Sequence, residues 1–301
     1  MNYQQWLELA EKRLFENVAK DPFLDAKVDA SLLLQTVTKR SKSAILAFSE
    51  TLLTEDELKQ LTELLARRAK GEPMAYVLGE TEFWTLNLQV APYTLIPRSD
   101  TEILVEQALV CIQLLKKSKD FTQSPIRILD LGTGTGAIAL ALADELKKSG
   151  QHFEIFGLDV IADAVKLAKT NAVRNHLTEV QFLQSNWFEQ VTGQFDLIVS
   201  NPPYIDAEDQ HLNQGDVRFE PLTALVAEKK GYADLQYIIE QAPNYLKKQG
   251  FLLVEHGWQQ GQKVRSFFAE KLWKQVETIN DYGGNERITL AQLRGKNEVL
   301  S

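Results

Sequence analysis

Ile126-Arg127-Ile128-Leu129-Asp130-Leu131-Gly132-Thr133-Gly134-Thr135-Gly136 is the stretch on which the fold class turns. Its first six residues read as a short buried strand, and the helical run from Ala137 follows the glycines at once. Glycines between a strand and a helix allow a tight turn and let a ligand approach the backbone closely. Asp159 stands at the end of the next strand, where a carboxylate can accept both hydroxyls of a ribose. Strand, loop, helix and acidic residue in this order point to a nucleoside-containing cofactor. The spacing is G-x-G-x-G, not the G-x-G-x-x-G of dinucleotide folds, and no Gly-Lys-Ser/Thr of a P-loop follows. The loop alone does not separate S-adenosylmethionine from a nicotinamide cofactor. Asp130 reads two ways, as a partner for the amino group of a methionine moiety or as a cap for the loop amides.

Beyond this stretch, strands and helices alternate. Strands are predicted over 126–131, 153–158, 180–183, 195–200 and 251–255, with helices over 137–147, 162–175, 231–247 and 262–272. Such alternation argues a parallel, doubly wound α/β sheet. Two more strands, over 276–282 and 286–293, flank Gly283-Gly284 as a terminal hairpin. Toward the N-terminus the pattern is helical. Trp6, Leu7, Ala10 and Leu14 recur at helical spacing, Asp21-Pro22 interrupts it, and Ala30, Leu33, Leu34 and Val37 resume it. Thr54-Glu55-Asp56-Glu57 has the form of a capping box that opens another helix, closed by Gly71 and Pro73. Phe83, Leu86, Leu88 and Val90 suggest a short hairpin, and Ser99-Asp100-Thr101-Glu102 a second capping box ahead of a helix to Leu115. A loop is predicted over 116–125. The expected organisation is a helical domain over 1–80, a hairpin linker over 81–98 and a catalytic domain over 99–301.

Composition narrows the function class. Of the 301 residues, 44% are hydrophobic and 25% charged, the balance of a globular protein. The longest apolar run, 137–143, falls far short of the roughly 20 residues of a membrane span. Residues 1–13 lack the apolar core of a signal peptide. Cys111 is the only cysteine, so no intrachain disulfide forms, and a cytoplasmic location is expected. A net charge of −8 with no long basic run tilts the partner away from nucleic acid.

The strand over 195–200 ends in Asn201-Pro202-Pro203-Tyr204, at the carboxyl edge where an open α/β sheet binds ligands. An amide or exocyclic amino nitrogen is a poor nucleophile because its lone pair is delocalised. The Asn201 side-chain oxygen and the Pro202 carbonyl offer two acceptors, one for each hydrogen of an NH2 group. Holding both hydrogens aims the lone pair and favours positive charge developing on nitrogen. Proline stiffens the loop, and Tyr204 offers a flat face for stacking.

Asn-Pro-Pro-Tyr after the fourth strand resembles the amino-group methyltransferases of DNA adenine, rRNA guanine and protein glutamine. Further stretches narrow the resemblance. They are Leu95-Ile96-Pro97-Arg98-Ser99-Asp100-Thr101-Glu102, the glycine loop, Val199 to Asp206, Gly215-Asp216-Val217-Arg218-Phe219-Glu220-Pro221-Leu222-Thr223-Ala224-Leu225-Val226, and Leu253-Val254-Glu255-His256-Gly257-Trp258. Together they resemble the peptide chain release factor glutamine methyltransferases along essentially the whole chain. The resemblance implies a class I S-adenosylmethionine-dependent methyltransferase fold, Rossmann-like, with a seven-stranded, mostly parallel sheet and an N-terminal helical domain. Because every candidate catalytic and cofactor residue lies between Gly132 and Tyr204, the helical domain is expected to serve substrate recognition, the alternative being that it only covers apolar surface. It implies that Gly132, Thr133, Gly134, Thr135 and Gly136 cradle the methionine portion of S-adenosyl-L-methionine and that Asp159 binds its ribose. Trp187 would lie near the adenine, and Asn201 near the methyl group. Asn201, Pro202, Pro203 and Tyr204 would receive the glutamine of a Gly-Gly-Gln motif in release factors, leaving S-adenosyl-L-homocysteine. Asn186 stands where the family often has an acidic residue, and Ser99 where it often has proline.

No metal site, membrane contact or direct nucleic-acid contact is expected, and the chain is expected to act as a monomer. The runner-up is a nucleic-acid amino-group methyltransferase, which requires a basic cleft. A nicotinamide oxidoreductase leaves Asn201 to Tyr204 unexplained, and a non-catalytic module leaves the intact motif without a use. His256 reads as structural. Trp6, Trp84 and Trp273 read as core. Residues 215–220 read equally as a mobile substrate-side loop or an ordered surface connection.

Overall fold

A computed structural model describes residues 1–16, 24–117 and 125–295. The break expected at Asp21-Pro22 and most of the loop expected over 116–125 lie outside the described residues. The chain forms two compact units. One is Met1–Glu80 with Gln210–Glu220, and the other is Thr81–Asp209 with Pro221–Ser301.

The first unit is built on helices α1 (Tyr3–Phe15), α2 (Ala26–Thr38), α3 (Lys42–Ala47), α4 (Glu55–Arg68) and α5 (Met74–Leu78). The apolar spacing read from the sequence is its core: Trp6, Ala10 and Leu14 of α1 meet Leu33 and Leu34 of α2 and Leu61 and Leu65 of α4. The capping box at Thr54 forms in both directions, and Asn2 and Gln5 make another at the start of α1. Arg68 and Asp29 make a buried ion pair at 2.6 Å. Residues 210–220 contribute two 3-10 turns to this unit, Gln210–Asn213 and Gly215–Phe219. They pack at Gly71, where a Cβ would come within 2.9 Å of the Arg218 guanidinium and 3.6 Å of the Phe219 ring. The segment is an ordered element of the helical unit.

The second unit opens with the hairpin β1 (Glu80–Phe83) and β2 (Leu86–Gln89), then α6 (Glu102–Lys117). The alternating series follows: β3 (Ile126–Leu131), α7 (Ala137–Lys148), β4 (Phe153–Asp159), α8 (Ala162–Arg174), β5 (Gln181–Gln184) and β6 (Phe195–Ser200). It closes with a single turn α9 (Glu228–Gly231), α10 (Ala233–Gln241), β7 (Leu246–Glu255), α11 (Gly261–Arg265), β8 (Trp273–Asn280) and β9 (Glu286–Leu293). The strands form one seven-stranded sheet in the order β5-β4-β3-β6-β7-β9-β8. Neighbours from β5 to β7 are parallel, and β9 runs antiparallel to both β7 and β8. This is the doubly wound sheet with a terminal hairpin that the alternation predicts. Strand order reverses at β3, so the crevice outside the carboxyl ends of β3 and β6 is where a ligand is expected.

Two apolar layers cover the sheet. Leu140, Leu142, Ile112 and Ile128 belong to one layer, and Leu129, Ile198, Ile238 and Val264 to the other. Leu129 and Ile128 face opposite layers because successive strand residues alternate.

Four local expectations differ from the structure, one of them the helix expected over 262–272, which ends at Arg265. The Ser99 box does not form. Ser99–Thr101 is a 3-10 turn without a side-chain cap, and the Glu102 carboxylate accepts from the Trp84 amide at 2.7 Å instead. The predicted helix over 231–247 stops at Gln241, because Leu246 pairs with Phe195 and begins β7. Trp84 is only partly buried, since its indole N–H donates to Glu145 at 3.0 Å, whereas Trp6 and Trp273 are core.

Candidate active site

The carboxyl ends of β3, β4 and β6 and the turn after β5 enclose a cavity of about 270 Å³. Gly132, Thr133, Gly134 and Thr135 line it from β3, Asp159 from β4, Trp187 from beyond β5, and Asn201 and Pro203 from β6. Residues far apart in sequence therefore meet because parallel strands end at one edge.

The glycine loop is held by its own strands. The amides of Gly132 and Thr133 both donate to the Leu158 carbonyl, at 2.9 and 2.8 Å. Gly132 and Gly134 take left-handed backbone (φ 72° and 54°), where a side chain is strained. A Cβ on Gly134 would meet no heavy atom within 4 Å, so this peptide is bare toward a ligand. Gly136 differs. It does not line the cavity, and a Cβ there would crowd Phe182, Ala168 and Leu140 at 3.1–3.2 Å. Its absent side chain serves the packing of α7 on the sheet.

Asp159 does more than face the cavity. One oxygen accepts from the Gly134 amide and the other from the Ile161 amide, each at 2.9 Å. The cap of the glycine loop, one of the two roles open to Asp130, thus falls to Asp159. Each carboxylate oxygen keeps a second acceptor position. Burial raises the Asp159 pKa, and its backbone donors pull it back. Asp130 is fully buried, lies outside the cavity wall and accepts from the Thr133 hydroxyl at 2.6 Å. Its second oxygen has no hydrogen-bond partner among the described residues, and burial lifts its pKa to about 7.

Trp187 has left-handed backbone (φ 45°), and its ring would lie 3.5 Å from a Cβ on Gly132. The same Cβ would lie 4.0 Å from the Asn201 carbonyl oxygen. Gly132 thus has both the indole and the Asn201 carbonyl close by, and Asp234 is the side-chain partner of Trp187. Asp234 lines the cavity too, and nothing in its sequence context marks it. Arg98, Thr101, Thr223 and Ala224 also line the cavity. All four lie in motif stretches that the sequence reading quoted without assigning them roles.

Pro202 and Tyr204 are not part of the wall. The Tyr204 ring packs against the sheet layer that contains Ile198 and Ile238, and its hydroxyl donates to Glu255 Oε1 at 3.3 Å. The Tyr204 ring is thus partly buried, with its hydroxyl held by a buried carboxyl. Asn201 Nδ2 donates to Thr101 Oγ1 at 3.2 Å. His256 is fully buried with both ring nitrogens engaged, Nδ1 with the Gly257 carbonyl and Nε2 with Thr289 Oγ1, each at 2.9 Å. It is structural, as read.

A family model described as a methyltransferase domain matches residues 122–294, and one described as a PrmC N-terminal domain matches residues 5–79. The release factor glutamine methyltransferase of Pasteurella multocida (strain Pm70) is 60% identical over 296 residues, covering 96% of this chain and 99% of that protein. That of Haemophilus influenzae (strain Rd) is 57% identical, covering 96% and 98%. That of Escherichia coli (strain K12) is 52% identical, covering 97% and 99%. The sheet is that of a class I S-adenosylmethionine-dependent methyltransferase. Matched along nearly its whole length, the chain belongs to the release factor glutamine methyltransferase family.

Proposed function

We infer that the protein transfers a methyl group from S-adenosyl-L-methionine to the side-chain amide nitrogen of the glutamine in the Gly-Gly-Gln motif of peptide chain release factors. The observation that supports this reading is the meeting of two things at one cavity: a bare glycine loop with its strand-end carboxylate, and Asn201 and Pro203 of the Asn201-Pro202-Pro203-Tyr204 turn. Relatives bearing that activity in their names, at 52–60% identity, support the choice of acceptor.

When bound, S-adenosyl-L-methionine supplies an electrophilic methyl group on a sulfonium and leaves as S-adenosyl-L-homocysteine. Gly132 to Thr135 fit its methionine portion, since the loop presents backbone without side chains in the way. Asp159 would hold the ribose hydroxyls with the acceptor positions its two backbone donors leave open. Trp187, beside Gly132, would lie near the adenine, and Val160, Ile161 and Asn186 line the same cavity. Asn201 Oδ1 and the Pro202 carbonyl would each accept one hydrogen of the glutamine amide. That hold turns the nitrogen lone pair toward the methyl group and stabilises the charge that develops on nitrogen. The overall charge of −8 favours a protein acceptor over a polyanion.

The test is incubation with methyl-labelled S-adenosyl-L-methionine and, separately, release factor, rRNA and DNA. Label on the Gly-Gly-Gln glutamine, located by peptide mass spectrometry, is expected. Label on nucleic acid alone would reject the reading.

A further inference from the structure

A buried carboxyl that touches neither the cavity nor a cation directly calls for an explanation. Glu255 ends β7 and is 1% exposed. Its Oε1 accepts from the Tyr204 hydroxyl, and its Oε2 has no hydrogen-bond partner among the described residues. Leaving a buried acceptor unpaired costs stability that an apolar residue of similar size would not lose. The Thr101 hydroxyl, 4% exposed, also bears on the carboxyl and favours its ionised form. Arg287, which pairs with Asp281 at 2.9 Å and Asp100 at 3.2 Å, supplies positive charge nearby. Thr101 is in turn the partner of Asn201. Tyr204 and Thr101 thus reach one buried group from two segments, and Asn201 is tied to it only through Thr101.

We propose that Glu255 is a positioning residue for methyl transfer: acting through Thr101, it holds the Asn201 amide with its oxygen, not its nitrogen, available to the acceptor glutamine. The inference rests on the role of Asn201 in the reading above.

The two ends of an asparagine amide have the same shape, so the neighbours decide which way it faces. In either protonation state Glu255 keeps an acceptor oxygen, and the hydroxyls of Tyr204 and Thr101 are donors that can meet it. A threonine hydroxyl has one proton. Once that proton is directed to Glu255, Thr101 Oγ1 has only lone pairs to offer. The group facing it at 3.2 Å must then be a donor, and Asn201 Nδ2 is that donor. Asn201 Oδ1 is left pointing elsewhere as an acceptor. With the amide reversed, two oxygens would face each other with no proton between them, and Nδ2 would confront the N–H groups of the substrate. Tyr204, on the same turn as Asn201 and tied to the same carboxyl, keeps the turn in register.

The experiment compares four variants of the full-length chain, methylating intact release factor, with kcat, KM and cofactor affinity measured separately. Thr101→Val keeps the shape and removes both hydrogen-bonding functions. It should lower kcat about tenfold, the equivalent of one net hydrogen bond, with KM and cofactor affinity little changed. Thr101→Ser restores the hydroxyl and should return kcat to near wild type. Glu255→Gln retains an acceptor oxygen and should resemble wild type, whereas Glu255→Leu should resemble Thr101→Val. A packing role predicts the opposite order, with isosteric valine tolerated and the smaller serine damaged. Wild-type kcat in Thr101→Val, or a Thr101→Ser variant as slow as Thr101→Val, would overturn the proposal while leaving the functional reading intact. If Glu255→Leu does not fold, the two Thr101 variants decide. A wild-type enzyme that fails to methylate release factor rejects the functional reading, and this inference with it.

Discussion

Asp159 and Glu255 occupy the same kind of position, the last residue of a parallel strand at the ligand edge of the sheet, yet their surroundings are opposite. Asp159 lines the cavity and takes its partners from backbone amides, which cannot be mutated away and do not rotate. Glu255 is sealed off and takes its partners from side-chain hydroxyls. The first arrangement suits a carboxylate that meets a ligand, because the backbone fixes it and leaves acceptor positions open. The second suits a carboxyl that orders other side chains. Strand-end location alone therefore does not assign a role. The type of partner does.

The largest effect is expected between these two ends, at Asn201. Asn201→Ala should lower the methylation rate by about 10²–10³, by analogy with the loss of one preorganised group at a charge-developing centre, while calorimetry shows cofactor affinity close to wild type. Equal loss of rate and cofactor affinity would merge the two ends into one site and break the comparison.

Asp159→Ala comes next. Loss of a charged acceptor for the ribose should weaken S-adenosyl-L-methionine binding by about 10- to 100-fold. Because Asp159 also caps the Gly134 and Ile161 amides, the same variant should lower the thermal midpoint, and Asp159→Asn should lose less of both. Unchanged affinity in a calorimetric titration would remove Asp159 from the cofactor site.

The smallest effect concerns the third strand-end carboxyl, Asp130 on β3. Burial raises its pKa to about 7, so the folded protein binds the proton more tightly than the unfolded chain. Its contribution to stability is full below about pH 4 and is lost as pH rises through about 7. Asp130→Asn should flatten part of the fall in thermal midpoint across that window. Glu255, raised to about 7 for the same reason, contributes to what remains, as do Asp29, Asp159 and Asp234, which burial also raises. An unchanged slope would mean that Asp130 is not buried in its acid form.

The sheet was legible because buried parallel strands leave short apolar runs, and three of them, β3, β4 and β6, lead into recognisable residues: Gly132, Asp159 and Asn201. The residues that finish the site were not. Thr101 appeared to belong to a capping box, but Glu102 is drawn away to the Trp84 amide, and the turn instead delivers Thr101 to Asn201. Asp234 lies within a helical pattern and gains meaning only where α10 brings it to Trp187. Gly136 fits the glycine motif by spacing, yet its environment is Phe182, Ala168 and Leu140. Sequence spacing reports which backbone positions need glycine and does not report which side of the chain needs the room.

The helical unit draws on Met1–Glu80 and also on Gln210–Glu220. That division sets an order of events during synthesis. A ribosome adding about 5–20 residues per second delivers the five helices early and the completing segment roughly 7–28 seconds later, after the next 140 residues. Until then Gly71 lacks the Arg218 and Phe219 side chains that cover it. The N-terminal unit is therefore the first to begin folding and not the first that can finish, and the segment that completes it emerges only after the strand that carries Asn201.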